Sequence, residues 1–281
     1  METVAFLSQK GGAGKSTIAA NIAVTASRHG DRVAILDMDP SRTLVKWRDA
    51  RGGTDIAVDH IEPGELQHAI TRAGAKGATL ALVDTPGTAN GPLLEAAQIA
   101  DLCVIPVRPN AFDLWASEET VKLLRARGAD FTFLLNQCPP IRQKNRVRQS
   151  LDALEAIGGI IKPMVSSRVD YQDAARFGLG AIEHNPRGAA AIEMLELWRS
   201  LEARLKRRSS NVEALRTTPQ NIEASAEPAL NPYFGLFDDA LNVGKLYTSF
   251  VRVLLAESER FSSSTDSGQS GKNPEGSAKD F

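Results

Sequence analysis

Three glycines, two lysines and two hydroxyls stand together in Lys10-Gly11-Gly12-Ala13-Gly14-Lys15-Ser16-Thr17. Glycine reaches backbone conformations that a Cβ blocks, so successive N–H groups can turn inward around an anion. A helix opening at Ser16 adds the partial positive charge of its N-terminus. Lys15 then has the reach for β- and γ-phosphates, and Ser16 offers a hydroxyl to Mg²⁺. A glycine turn that binds nothing has no need of Lys-Ser at its end.

Carboxylates follow in two places. Leu80-Ala81-Leu82-Val83 is an apolar run that delivers Asp84 at its C-terminal end, before Thr85-Pro86-Gly87. Ligands of open α/β sheets bind at that end of the strands, and a carboxylate there holds Mg²⁺ directly or through water. Ile35-Leu36-Asp37-Met38-Asp39-Pro40 brings two more. The period of two points Asp37 and Asp39 the same way. One can orient an attacking water and the other support the metal. The alternative reading is an N-cap for a helix over 41–50.

These residues need strands that end together. Apolar runs at 4–8, 32–36, 79–83, 102–107 and 131–135 have the unbroken character of strands covered on both faces. Helix-length segments lie between them at 16–28, 63–75, 92–100, 113–127 and 145–157. Alternation of this kind predicts an α/β fold: a doubly wound, mostly parallel sheet flanked by helices. A last helix over 188–208 offers Ile192, Leu195, Leu197, Trp198, Leu201 and Leu205 to the sheet.

Of the 281 residues, 42% are hydrophobic and 24% charged, enough apolar material for a packed core. The net charge of -1 excludes a uniformly basic nucleic-acid coat, though not a local basic patch. It is an uneven sum. Residues 1–208 hold 27 Lys and Arg against 24 Asp and Glu, whereas 209–281 hold 6 against 10. The expected organisation is therefore an ATPase-like domain over 1–208, a linker over 209–230, an amphipathic helix over 231–261 and a disordered tail over 262–281, together a C-terminal extension. Two cysteines, Cys103 and Cys138, build no disulfide scaffold and suit a reducing cytosol. No apolar run approaches bilayer-spanning length, and Met1-Glu2-Thr3 leads straight into a strand without signal-peptide character.

The phosphate loop resembles the deviant Walker A box of the ParA/MinD family of P-loop ATPases, whose mark is an extra lysine before the glycines, here Lys10. Asp37-Met38-Asp39-Pro40 resembles their second box and Asp84-Thr85-Pro86-Gly87 their Walker B. Val104-Ile105-Pro106-Val107 with Asp113-Leu114-Trp115, and Arg168-Val169-Asp170-Tyr171 with Ala174, Gly178 and Glu183, resemble the partition (ParA/Soj-like) branch. Gly87 departs from the pattern, since many members carry a second proline there; little consequence is expected. The resemblance implies a P-loop NTPase fold over about 1–206 and an ATP-dependent sandwich homodimer. It gives Lys10 a place at the partner's nucleotide, Lys10, Lys15 and Asp39 catalytic roles, and Gly11, Gly12, Ala13, Gly14, Lys15, Ser16 and Thr17 the phosphates. Asn136 and Pro163 match stretches that contact adenine, and Ser16, Asp37 and Asp84 form the Mg²⁺ set.

Partition members bind DNA non-specifically as ATP dimers and move a cargo through a ParB-like DNA-binding adaptor, which implies a cytoplasmic, nucleoid-associated protein. Lys162, Arg168, Arg176 and Arg187 are the candidate phosphate contacts, with the basic run over 142–148. Membrane attachment of the MinD kind fits poorly, because Asp238, Asp239, Glu257 and Glu259 oppose anionic headgroups. An iron–sulfur reductase of the nitrogenase iron-protein type fits less well, since 86–92 holds no cysteine. Positioning of a protein complex would leave the same motifs as partition of plasmid or chromosome DNA. With no long segment before Lys10, an N-terminal helix-turn-helix repressor domain is not expected.

Overall fold

A computed structural model describes residues 1–87, 90–139 and 144–217. Its elements run β1 (Glu2–Phe6), α1 (Lys15–Arg28), β2 (Val33–Asp37), α2 (Thr43–Arg51), β3 (Ala57–His60), α3 (Leu66–Ala75), β4 (Leu80–Asp84), α4 (Asn90–Ile99), β5 (Leu102–Val107), α5 (Ala111–Ala126), β6 (Phe131–Leu135), α6 (Lys144–Gly158), α7 (Val169–Arg176), α8 (Ala181–His184) and α9 (Ala189–Thr217). The six strands form one sheet in the order β3-β2-β4-β1-β5-β6, and every pairing is parallel. The expected doubly wound α/β architecture is present.

Burial explains why the strands read as unbroken apolar runs. Every residue of β2, β4 and β5 is buried, as parallel strands between two helical layers must be. Ile18 and Ile22 of α1 share one buried core with Val4 and Phe6 of β1, Ile35 of β2 and Met194, Leu197, Trp198, Leu201 and Leu205 of α9. Of the expected α9 positions, Leu197, Trp198, Leu201 and Leu205 are buried. Met194 takes a core place, whereas Ile192 is 50% exposed.

Topology decides where a ligand can sit. From β1 the chain builds β2 and β3 on one side and returns to insert β4 beside β1. It then crosses to β5 and β6 on the other side. Phe6 pairs with Asp84, and Asp37 with Asp84. The loop after β1 and the carboxylates closing β2 and β4 therefore share one sheet edge, at the switch point where open α/β folds bind ligands.

The C-terminal part adds α7 and α8, which the expected helices did not include, and α9 runs unbroken through Arg208 to Thr217. The chain divides between Asn221 and Ile222. The amphipathic helix expected over 231–261 and the tail over 262–281 lie outside the described residues.

Candidate nucleotide site

The loop after β1 turns on two glycines in the left-handed region, Gly12 at φ 77° and Gly14 at φ 92°. Either position with a side chain would be strained. Gly14 also has no room for one, since a Cβ there would meet Asn136 Nδ2 at 2.3 Å. Gly14 is the residue before α1, so Lys15 and Ser16 open the helix. Among the described residues, no acceptor takes the N–H groups of Gly12, Ala13 or Gly14.

Lys15 is buried at 7% exposure, and its ammonium makes no ion pair among the described residues. Burial pulls its pKa down, against the charges of Asp84 and Asp39, which raise it. A buried cation without a hydrogen-bonded carboxylate is costly. It becomes favourable once an anionic ligand arrives.

Asp84 is fully buried at the end of β4. Its Oδ2 accepts a hydrogen bond from Ser16 Oγ at 2.5 Å, while Oδ1 has no partner among the described residues. Burial pushes this carboxyl up to about 7, against the Ser16 hydrogen bond and the Lys15 charge. A buried carboxylate oxygen left without a donor, beside a serine hydroxyl, suits a divalent cation. Among the described residues, no group of three or more His, Cys, Asp or Glu side chains could hold a metal alone. Ser16, Asp84 and the phosphates of a ligand would have to share one.

Asp37 and Asp39 differ in their hydrogen-bond partners. Asp37 Oδ1 accepts from the Asp39 N–H at 3.0 Å, and Oδ2 from the N–H groups of Leu44 at 3.0 Å and Val45 at 3.3 Å. Burial pushes its pKa up even so. It spends both oxygens tying β2 to the start of α2, the helix-capping alternative. Asp39 is partly exposed. Its Oδ1 accepts from the Ser41 N–H at 2.8 Å, which leaves Oδ2 available. The far end of α2 is held by Arg51, which donates to Glu183 at 2.8 Å through both Nη atoms and to the Gly178 carbonyl at 2.9 Å.

Lys10 is not free. Its Nζ lies 2.5 Å from Asp113 Oδ1 and 5.9 Å from the centroid of the Phe112 ring. Arg108 Nε donates to the same carboxylate at 2.6 Å. Burial alone would raise the Asp113 pKa, but the Arg108 and Lys10 hydrogen bonds outweigh it and hold the group ionised, below the usual carboxylate range. Phe112 and Trp115, 70% and 42% exposed, stand at the start of α5 beside this cluster.

The second adenine candidate and the basic candidates are less drawn in. Asn136 braces the loop, donating from Nδ2 to the Ala13 carbonyl at 2.8 Å. Pro163 lies in the segment that runs beside β6 between the bridges at Ile160 and Ser166. Lys162, Arg176 and Arg187 are exposed. Arg168 instead donates to Glu193 Oε1 through Nε and Nη2, at 3.1 and 2.7 Å. It serves the α7–α9 junction before it can serve a ligand. Of the 142–148 run, residues 142 and 143 and the side chains of 144–146 lie outside the described residues, and Arg148 is exposed.

Gly87 corrects an expectation. A Cβ there would stand 2.9 Å from Gly11 N and 3.1 Å from Gly11 Cα, so the loop after β4 packs directly on the phosphate loop. Gly87→Ala is expected to weaken nucleotide binding by about tenfold, the equivalent of roughly 1.4 kcal/mol, with the fold retained. Binding titration alongside circular dichroism checks this.

A left-handed glycine loop, a helix N-terminus with a buried lysine, and a serine–aspartate pair at a switch point define a P-loop nucleotide-binding protein. Comparison with known proteins agrees. Residues 4–244 match the model of the CobQ/CobB/MinD/ParA nucleotide binding domain, and the chain belongs to that family of ATPases. It is 30% identical over 213 residues to "Protein ParA" of Rhizobium radiobacter, covering 70% of this chain and 93% of that protein. It is 28% identical over 204 residues to the "Maintenance of carboxysome distribution protein A" of Halothiobacillus neapolitanus, covering 68% and 91%. The septum site-determining protein MinD of Pyrococcus horikoshii, solved with Mg-ADP, shares the fold at a TM-score of 0.58 and 15% identity, over 74% of this chain and 98% of that one.

Proposed function

We propose that this chain is a partition ATPase. It binds MgATP in the loop after β1, pairs with a second copy across that nucleotide, and binds DNA non-specifically as the ATP dimer. It segregates plasmid or chromosome DNA through a ParB-like DNA-binding adaptor. The observation that carries the nucleotide step is Lys15, a buried ammonium that, among the described residues, has no ion pair and stands beside three loop N–H groups without an acceptor.

In this reading Lys15 and the loop amides hold the phosphates. Ser16 and Asp84 are the residues to hold magnesium, which when bound neutralises charge between the β- and γ-phosphates. Asp37 acts from behind, fixing the backbone that presents Asp39. Asp39 accepts a hydrogen bond from the attacking water and aligns it with the terminal phosphorus. Lys10 adds a cation at the partner's nucleotide, where the transferring group spreads its charge.

The partition step draws on the ParA relative and on the exposed Lys162, Arg176 and Arg187. No described helix is long and apolar enough to cross a membrane. DNA retention on the purified chain is the test. Retention is expected with ATP, not with ADP, and is expected to fall at least about tenfold between 50 and 200 mM salt. ATP-independent or salt-indifferent retention overturns the DNA assignment. A second reading, positioning of a protein complex, is favoured by the carboxysome-distribution relative at nearly equal identity. Pull-down with the product of the adjacent reading frame separates the two.

A further inference from the structure

The turn after β6 sends two consecutive side chains to the phosphate loop. Asn136 Nδ2 donates to the Ala13 carbonyl at 2.8 Å, and Gln137 Nε2 to the Gly12 carbonyl at 2.9 Å. Gln137 does so from a left-handed backbone, φ 52°, a conformation that residues with a side chain rarely adopt. Its own N–H donates to Asn136 Oδ1 at 2.8 Å, which holds the turn in that shape.

A trans peptide unit points its C=O and N–H in opposite directions. Drawing the Gly12 and Ala13 carbonyls toward the β6 turn therefore rotates the N–H groups of Ala13 and Gly14 to the other side of the loop. Those are among the amides that no described acceptor takes. The carbonyls face away from where an anion would sit, and the donors face toward it. Asn136 is mostly buried; Gln137 is exposed, and nothing in the core requires its side chain.

We propose that Gln137 is a positioning residue of the phosphate loop: its carboxamide holds the Gly12–Ala13 peptide with the N–H facing the phosphates, so that the cradle exists before nucleotide arrives. The inference rests on the reading that this loop binds a nucleotide. In this role Gln137 acts through Gly12. It also accounts for the left-handed backbone, which is retained because it aims the carboxamide.

The test is MgATP titration on the full chain, with melting curves recorded without nucleotide. Gln137→Gly relieves the left-handed strain and removes the donor. It is expected to melt at or above the wild-type temperature, yet to bind MgATP about three- to tenfold more weakly, with the loss in KM rather than kcat. Gln137→Glu keeps the size but offers a carboxylate that cannot donate, and is expected to lose at least as much. Lys15→Gln is the control for the nucleotide reading. If both Gln137 variants bind as wild type while Lys15→Gln does not, Gln137 has no positioning role and the nucleotide reading stands. If both bind weakly but also melt lower, general loosening explains the loss and the inference is overturned. If the wild-type chain binds no MgATP, the nucleotide reading falls and takes this inference with it.

Discussion

Lys15→Met is expected to abolish MgATP binding at micromolar concentrations and to raise the melting temperature of the nucleotide-free protein. Both effects have one source. Lys15 is buried with no ion pair among the described residues, and burial pulls its pKa down against the charges of Asp84 and Asp39. Losing a charge aimed at phosphate costs about 10²–10³ in effect on a bound anion or its transition state. Burying a charge without a hydrogen-bonded partner is costly, so an apolar side chain of similar volume relieves that cost. In a unit of this size, each kcal/mol is worth roughly 2–4 °C. Calorimetry without ligand and nucleotide titration read the two effects separately. A variant that binds less and also melts lower would show that Lys15 is a packing residue.

Asp39→Ala is expected to leave MgATP binding within about twofold of wild type and to cut turnover by roughly 10²–10⁴, the range for a general-base or water-orienting group. The prediction is selective because the neighbouring carboxylates differ in their duties. Asp84 is buried with Ser16 on one oxygen, and Asp37 is spent on three backbone N–H groups. Asp39 alone of the three is partly exposed. Substitution removes its Ser41 hydrogen bond and its charge near Lys15, while the loop keeps its anchor at Asp37. Single-turnover hydrolysis measured at saturating ATP decides the matter. Unchanged turnover would remove Asp39 from the mechanism.

The sequence showed the sheet where the strands are buried on both faces. β2, β4 and β5 contrast sharply with what surrounds them, and their runs were recognisable within a residue or two. β3 was not, because it is a four-residue edge strand with Val58 as its one fully buried position. α7 was missed for a similar reason, since only Tyr171 and Ala174 are buried. α2 is legible only as the helix capped from the Asp37–Asp39 turn, with Leu44 and Trp47 its sole buried residues. The phosphate loop was legible because its chemistry is local, a run of adjacent residues. Gln137 with Gly12, Lys10 with Asp113 and Gly87 against Gly11 were not. Each depends on two segments far apart in the chain, and no periodicity or composition records which backbone atoms will face which side chain. For Asp113 a signal did exist, in its place within the stretch that resembles the partition branch.

Asp113 is held by two cations. If Lys10 leaves for a nucleotide on a partner, the buried carboxylate is not stranded, because Arg108 remains on it. A carboxylate abandoned by its sole partner would cost about 3–5 kcal/mol. Giving up one of two contacts, from a lysine side chain 33% exposed, costs on the order of 1 kcal/mol. That sum is small enough for a single ligand-binding event to supply, and small enough to be reversed when the ligand is hydrolysed. The spare arginine makes Lys10 a detachable mooring instead of a fixed strut.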